Sequence, residues 1–266
     1  MSTTKATAGS GAKWGPLWGA RPRAWAEDED QQVPTYEEAI RRVGVSPGHR
    51  VLDIGCGTGV FLRLAADRGA VPYGLDASEA LLAIAHERVP DADLQVGEME
   101  QMPYEDDSFD LVTGFNSFFF AADLVAALRE AGRVAKAGAP VVIQVWGPPE
   151  RCDLEAMKQV ARPYAPPPPP DAPPPPKLWE AGVLENLATE AELTPETTFD
   201  TSYAFEYRDE EMLGRLLTAP MGLAELAGPA REPTLRREII DALAPHRTTD
   251  GSYRLNNEFH YLVARA

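Results

Sequence analysis

The run VLDIGCGTG at residues 51–59 sets Asp53 two positions ahead of Gly55, with further glycines at 57 and 59. A glycine-rich turn leaving a buried strand lets the main chain approach a ligand closely, because no Cβ stands in the way. The helix that follows aims free N–H groups and partial positive charge at that ligand. With a pyrophosphate this geometry is a dinucleotide site, but that fingerprint wants Gly-x-Gly-x-x-Gly, and Val60 fills the slot of its last glycine. Asp53 argues in the same direction. A carboxylate at the mouth of the turn repels pyrophosphate and suits a cationic amine or a sulfonium. A second acid, Asp76, ends the next apolar run, VPYGLD, 17 residues past Gly59. There a carboxylate can accept both hydroxyls of a ribose. The plainer alternative makes both acids helix caps.

The elements that must position these groups follow a strand–helix alternation from residue 50 onward. RVLDI, VPYGLDAS, DLQVGE, FDLVTGF and PVVIQVWG read as strands, and VFLRLAADRG, SEALLAIAHERV and LVAALREAGRVAK as helices between them. Ser78 is placed to cap the second of these helices, and Gly69 and Gly138 to close the first and third. Such alternation predicts βαβ crossovers and a parallel α/β sheet with helices on both faces. Both acids then stand at the carboxyl ends of parallel strands, where open α/β sheets bind ligands.

Outside residues 49–150 the pattern changes. Residues 1–13 are small and polar and read as a tail. Residues 14–48 form an arm with Trp14, Trp18 and Trp25, then a short helix from Tyr36 to Val43; the arm is either packing or a lid. Within 151–177 the stretch PYAPPPPPDAPPPP excludes helix and sheet interior, since proline lacks the amide donor. It predicts an extended connector. Residues 178–266 read as a helix over 178–193, a strand over 197–209, a helical lid insertion over 209–247 broken at Pro220, Gly228 and Pro233, and a last strand from Gly251.

The 266 residues carry 25 basic against 41 acidic side chains, a net charge of −16. Nucleic-acid binding rests on Lys and Arg neutralising phosphates, so a polyanion partner is disfavoured, as is an anionic membrane. Two distant cysteines, Cys56 and Cys152, and an N-terminus without an apolar core predict a reduced, cytoplasmic setting. No apolar stretch is long enough to span a bilayer.

In order and spacing, VLDIGCGTG, GLDASEALLAIA, VGEMEQMPYEDDSFDLV and LREAGRVAKAGAPVVI resemble the successive motifs of class I S-adenosylmethionine-dependent methyltransferases, close to the ubiquinone- and menaquinone-biosynthesis group. The resemblance covers residues 50 to about 146 most clearly. It implies a Rossmann-like, doubly wound sheet of seven strands, mostly parallel with an antiparallel last strand. It also implies S-adenosylmethionine as cofactor and S-adenosylhomocysteine as product. Gly55, Gly57 and Gly59, with Cys56 among them, would wrap the methionine end, with Asp53 near its amino group. Asp76, followed by Ala77, would hold the ribose, and Glu98 and Met99 would flank the adenine. Phe115, Asn116 and Tyr36 would face the methionine moiety and the substrate. No metal is implied. The expected partner is a small-molecule methyl acceptor, O-, N- or C-methylation being open. A nicotinamide-dependent oxidoreductase and a cofactor-binding protein that transfers no methyl group are the rival readings.

Methyl transfer needs a general base only when the acceptor is protonated. His246, His260, Tyr203 and Asn257 lie in the C-terminal region and are the candidates. His49 precedes the first strand, His86 falls on a solvated helix face, and Tyr207 and Tyr36 complete the set.

Overall fold

The computed structural model describes residues 9–165 and 174–266; residues 1–8 of the expected tail and 166–173 of the proline run lie outside them. Three helices come first: α1 (Gly11–Trp18), α2 (Pro22–Glu29) and α3 (Val33–Val43). The alternating core follows as β1 (Arg50–Ile54), α4 (Val60–Ala66), β2 (Val71–Asp76), α5 (Glu79–Arg88), β3 (Asp93–Val96), β4 (Leu111–Phe115), α6 (Leu124–Val134) and β5 (Pro140–Trp146). The C-terminal part holds α7 (Glu155–Ala161), α8 (Val183–Glu190), β6 (Thr194–Tyr207), α9 (Glu210–Leu217), α10 (Leu223–Ala227), α11 (Glu232–Leu243) and β7 (Tyr253–Arg265).

The strands form one seven-stranded sheet in the order β3-β2-β1-β4-β5-β7-β6. Strands β1 to β5 pair in parallel, and β7 runs antiparallel between β5 and β6. Val51, Leu52, Asp53 and Ile54 are all buried because helices cover both faces of the sheet, as parallel sheets require. Helices α3, α4, α7, α9 and α11 supply the core of one face, α6 and α8 that of the other. The strand order reverses between β1 and β4. A crevice opens outside their carboxyl ends at such a switch point, and the glycine turn after β1 sits in it. Among the described residues no helix is long and apolar enough to cross a membrane.

Several elements depart from the sequence expectation. Residues 11–13, assigned to the tail, begin α1, and Ser10 is buried. The connector assigned to 151–177 contains α7, because Leu154, Met157 and Ala161 carry helical apolar spacing before the prolines begin. The helix read over 178–193 is confined to α8. Pro233 does not break the insertion; it stands in the first turn of α11, where its missing N–H has no partner to lose.

Helix α1 lies almost backbone-to-backbone on the segment after β2. A Cβ on Gly15 would stand 2.3 Å from the carbonyl oxygen of Ala77. Gly15→Val is therefore expected to lift α1 off the core at a cost of about 1–3 kcal/mol, the usual range for overpacking. Hydrogen exchange would show amides of residues 11–18 losing protection while β1 keeps its own; protection retained in α1 would count against this close packing.

Candidate active site

The crevice closes into a cavity of about 380 Å³, a volume typical of small-molecule sites. Its floor is Gly55, Gly57, Asp76, Ala77, Met99, Phe115 and Asn116; its roof is Trp14, Trp18 and Trp25 from the arm. Beyond the ends of β4 and β5 it continues into a chamber lined by Trp146, Leu154, Met157, Phe205, Leu217 and Met221. Trp18 packs edge-on against Trp25 (4.7 Å between centroids) and Trp14 against Phe120 (4.8 Å), so the roof is one aromatic cluster. Ion pairs tie it to the C-terminal helices. Arg21 of the segment before α2 bonds Glu225 and Glu232, and Glu27 bonds Arg215.

The glycine turn is held at both ends. Gly55 and Cys56 donate to the Leu75 carbonyl, and Gly57 donates to Asp76 Oδ2 (2.9 Å). Asp76 Oδ1 accepts from Ser78 N–H (2.8 Å), so each carboxylate oxygen keeps a lone pair for a ligand. Gly57 has φ of +54°, and a Cβ there would press at 3.0 Å on the carboxylate of Glu29. Glu29, the last residue of α2, reaches the loop from above. Its Oε2 accepts from Thr58 N–H (2.9 Å) and the Thr58 hydroxyl (2.6 Å). Arg88 donates to the same hydroxyl and pairs with Asp30.

Burial pushes Glu29 up to about 7, against the Thr58 bonds and the positive charge of Arg88. Burial also raises Asp76, although backbone N–H groups of Ser78 and Gly57 oppose it, and holds Asp53 well above the usual carboxylate range. Three buried acids thus surround one loop, an arrangement that favours a cationic guest. At the end of β4, Asn116 adopts φ of +51° and Ser117 follows it; Asn116 Oδ1 and Ser117 Oγ are buried without a hydrogen-bond partner among the described residues. Buried polar atoms of this kind call for a partner. The cradle, the acids and the orphaned oxygens fit a molecule with a ribose, an ammonium and a sulfonium.

Of the expected cofactor residues, Gly55, Gly57, Asp76, Ala77, Met99, Phe115, Asn116 and Tyr36 line this cavity. Four do not. Asp53 lies under the loop, where it accepts from the Thr113 hydroxyl (2.7 Å), because side chains of β1 point into the sheet layers rather than along the strand. Cys56 is turned inward toward Gly74, and Gly59 precedes α4 against Ala85. Glu98 lines the neighbouring groove and accepts from Gly11 N–H (2.8 Å) of α1.

None of His246, His260, Tyr203 and Asn257 lines the cavity. His246 pairs with Asp153 (3.3 Å). His260 is on the opposite face of β7 from Phe259 and Tyr261 and bonds Asp200 (2.7 Å). Tyr203 lies half-buried beside α3, two residues along β6 from the cavity. Asn257 is fully buried, accepting from Leu154 N–H and donating to the Leu255 carbonyl. The sequence reading also passed over Asp28, Glu29 and Gln32, which line the cavity. Their signal is the spacing Trp25, Asp28, Glu29, Gln32, Tyr36, one face of a helical stretch.

The matches to known proteins agree with this geometry. Residues 52–143 match the family model described as a methyltransferase domain. Those residues form a methyltransferase domain. The domain is 36% identical over 110 residues to a demethylmenaquinone methyltransferase of Renibacterium salmoninarum, covering 41% of this chain and 46% of that one. The chain thus spans about half the length of such curated relatives. An uncharacterised protein of Mycobacterium bovis is 29% identical over 253 residues, covering 90% of this chain and 88% of its own. A solved structure from Bacillus halodurans, classed as a methyltransferase, superposes with a TM-score of 0.58 at 16% identity, covering 86% of this chain and 97% of that one. This likeness extends the shared fold well beyond residues 52–143.

Proposed function

We propose that this chain catalyses methyl transfer from S-adenosylmethionine to a small, largely apolar acceptor. The observation that carries the reading is a single cavity joining the glycine turn and Asp76 to an aromatic chamber. Asp76 would hold the ribose, Met99 the adenine, and Gly55, Gly57, Asn116 and Ser117 the methionine end, with Glu29 facing its positive charge. When bound, the cofactor supplies an already activated methyl group on sulfur. The chain's own contribution is then mostly positioning, which can supply roughly 7–11 kcal/mol. Trp14, Trp18 and Trp25 exclude water from above, and Trp146, Phe205 and Met157 shape the acceptor end. The negative charge of the chain and the apolar chamber speak for a small molecule rather than a nucleic acid, and the two free buried cysteines for a cytoplasmic setting. Calorimetry with S-adenosylhomocysteine tests the cofactor half and is expected to give a Kd of a few tens of micromolar or tighter, on the order of −6 kcal/mol. Accumulation of S-adenosylhomocysteine with apolar hydroxy compounds tests the transfer half. Binding without turnover on any acceptor would favour a cofactor-binding protein that transfers no methyl group.

A further inference from the structure

Asp28 and Glu29 leave α2 side by side and serve different ends of the cavity. Glu29 is engaged with the glycine loop through Thr58. Asp28 turns toward the edge of the sheet, where the Tyr207 hydroxyl of β6 donates to its Oδ1 (2.9 Å) and the Gln31 amide approaches the same oxygen at 3.5 Å. Its Oδ2 has no hydrogen-bond partner among the described residues. Asp28 is 5% exposed and lines the cavity, so Oδ2 is the oxygen left to meet a molecule in the chamber. The neighbouring walls, Trp25, Trp146, Phe205 and Leu217, are apolar. Lys158 is a donor only; its Nζ lies 4.6 Å over the Trp146 ring and 3.9 Å from Glu155. A bare carboxylate oxygen in such surroundings demands a hydrogen-bond donor from the ligand.

We propose that the acceptor is an apolar molecule bearing one hydroxyl, that Asp28 Oδ2 receives this hydroxyl and takes its proton, and that Tyr207 is the positioning residue. The inference rests on the methyl-transfer reading above. The acceptor oxygen bonds to the methyl carbon, the carbon–sulfur bond breaks with its electron pair staying on sulfur, and the hydroxyl proton passes to Oδ2. The sulfonium and carboxylate charges disappear together, which an apolar chamber favours over any step that separates charge.

The charged groups around Asp28 are Glu27 and Glu29 on its own helix, Lys158 of α7 and Asp76 of β2 lining the same cavity, and Arg215 of α9 paired with Glu27. Burial pushes the Asp28 carboxyl up to about 6 and the Tyr207 bond holds it down, so it is ionised above neutrality and available as a base.

The test uses the full chain saturated with S-adenosylhomocysteine, whose binding is first measured on every variant, and two probes, 2-naphthol and naphthalene. Wild type is expected to prefer 2-naphthol by about tenfold above neutral pH, the worth of one bond to a charged acceptor. The preference should fall on acidification with a midpoint near 6, where Asp28 protonates. Asp28→Asn should remove that pH dependence. Tyr207→Phe should keep the preference and move its midpoint upward, which a merely structural tyrosine would not do. A preference unchanged in Asp28→Asn, a pH-independent preference in wild type, or failure of both probes to bind would overturn the proposal, and the wild-type profile needs no variant to fold. Failure of wild type to bind S-adenosylhomocysteine would instead defeat the methyl-transfer reading, and this with it.

Discussion

Asp76→Ala is expected to weaken S-adenosylhomocysteine binding by at least about a hundredfold, roughly 3 kcal/mol or more, while the apo protein still folds. The size follows from two charge-assisted hydrogen bonds to a ribose, each worth roughly 1.5–3 kcal/mol. A further loss comes from the loop itself, since Asp76 anchors Gly57 N–H and Ser78 N–H. The fold should tolerate the change because burial works against the charged form of this carboxylate and raises its pKa. Removing a buried charge offsets part of the cost of the two lost backbone bonds. Asp76→Asn, which retains one oxygen, should fall between the two. Calorimetry showing wild-type affinity in Asp76→Ala would mean that the ribose does not lie at the end of β2.

Glu29 makes the second large effect one of pH. Its folded pKa, about 7, lies above its ordinary 4.5, so the native state holds this proton more tightly than the unfolded chain does. The contribution is fully present below the unfolded value and is lost as pH rises through about 7. Across that window the ligand-free protein should lose about 3 kcal/mol of stability from this group alone. Asp28, raised from 3.8 to about 6, adds a slope of the same sign at lower pH. Urea unfolding at several pH values would therefore show wild type losing more stability than Glu29→Gln as the solution is made alkaline. Equal slopes would sink the claim that Glu29 is the buried titrating group. A cation bound beside Glu29 reverses the trend, so affinity for S-adenosylmethionine should tighten as pH rises through neutrality, and more than affinity for the uncharged-sulfur product.

By itself the sequence determined the scaffold and the ligand-facing turn. Local signals carry these: continuous apolar runs for β1, β4 and β5, helical periodicity in α6, the Ser78 cap ahead of α5, glycines where the main chain leaves a strand, and Asp76 at a strand end. Each depends on neighbours within a few residues, and the parallel order then follows from right-handed crossovers. The tertiary structure decided which acids line the cavity. Asp53 points into a sheet layer and is covered, whereas Asp28 and Glu29 are brought onto the glycine loop and β6 from an arm that reads locally as tryptophan-rich packing. Tyr207 meets Asp28 across a separation of 179 residues, and no local pattern marks such a pair. His260 and Asn257 drew attention by residue type, but strand alternation and backbone partners in the interior use them for packing and hydrogen bonding. The distinction is physical. Strands and helices are specified by the periodicity of burial along the chain, while a buried carboxylate's role is specified by what desolvates it and what donates to it, and here those groups come from other elements.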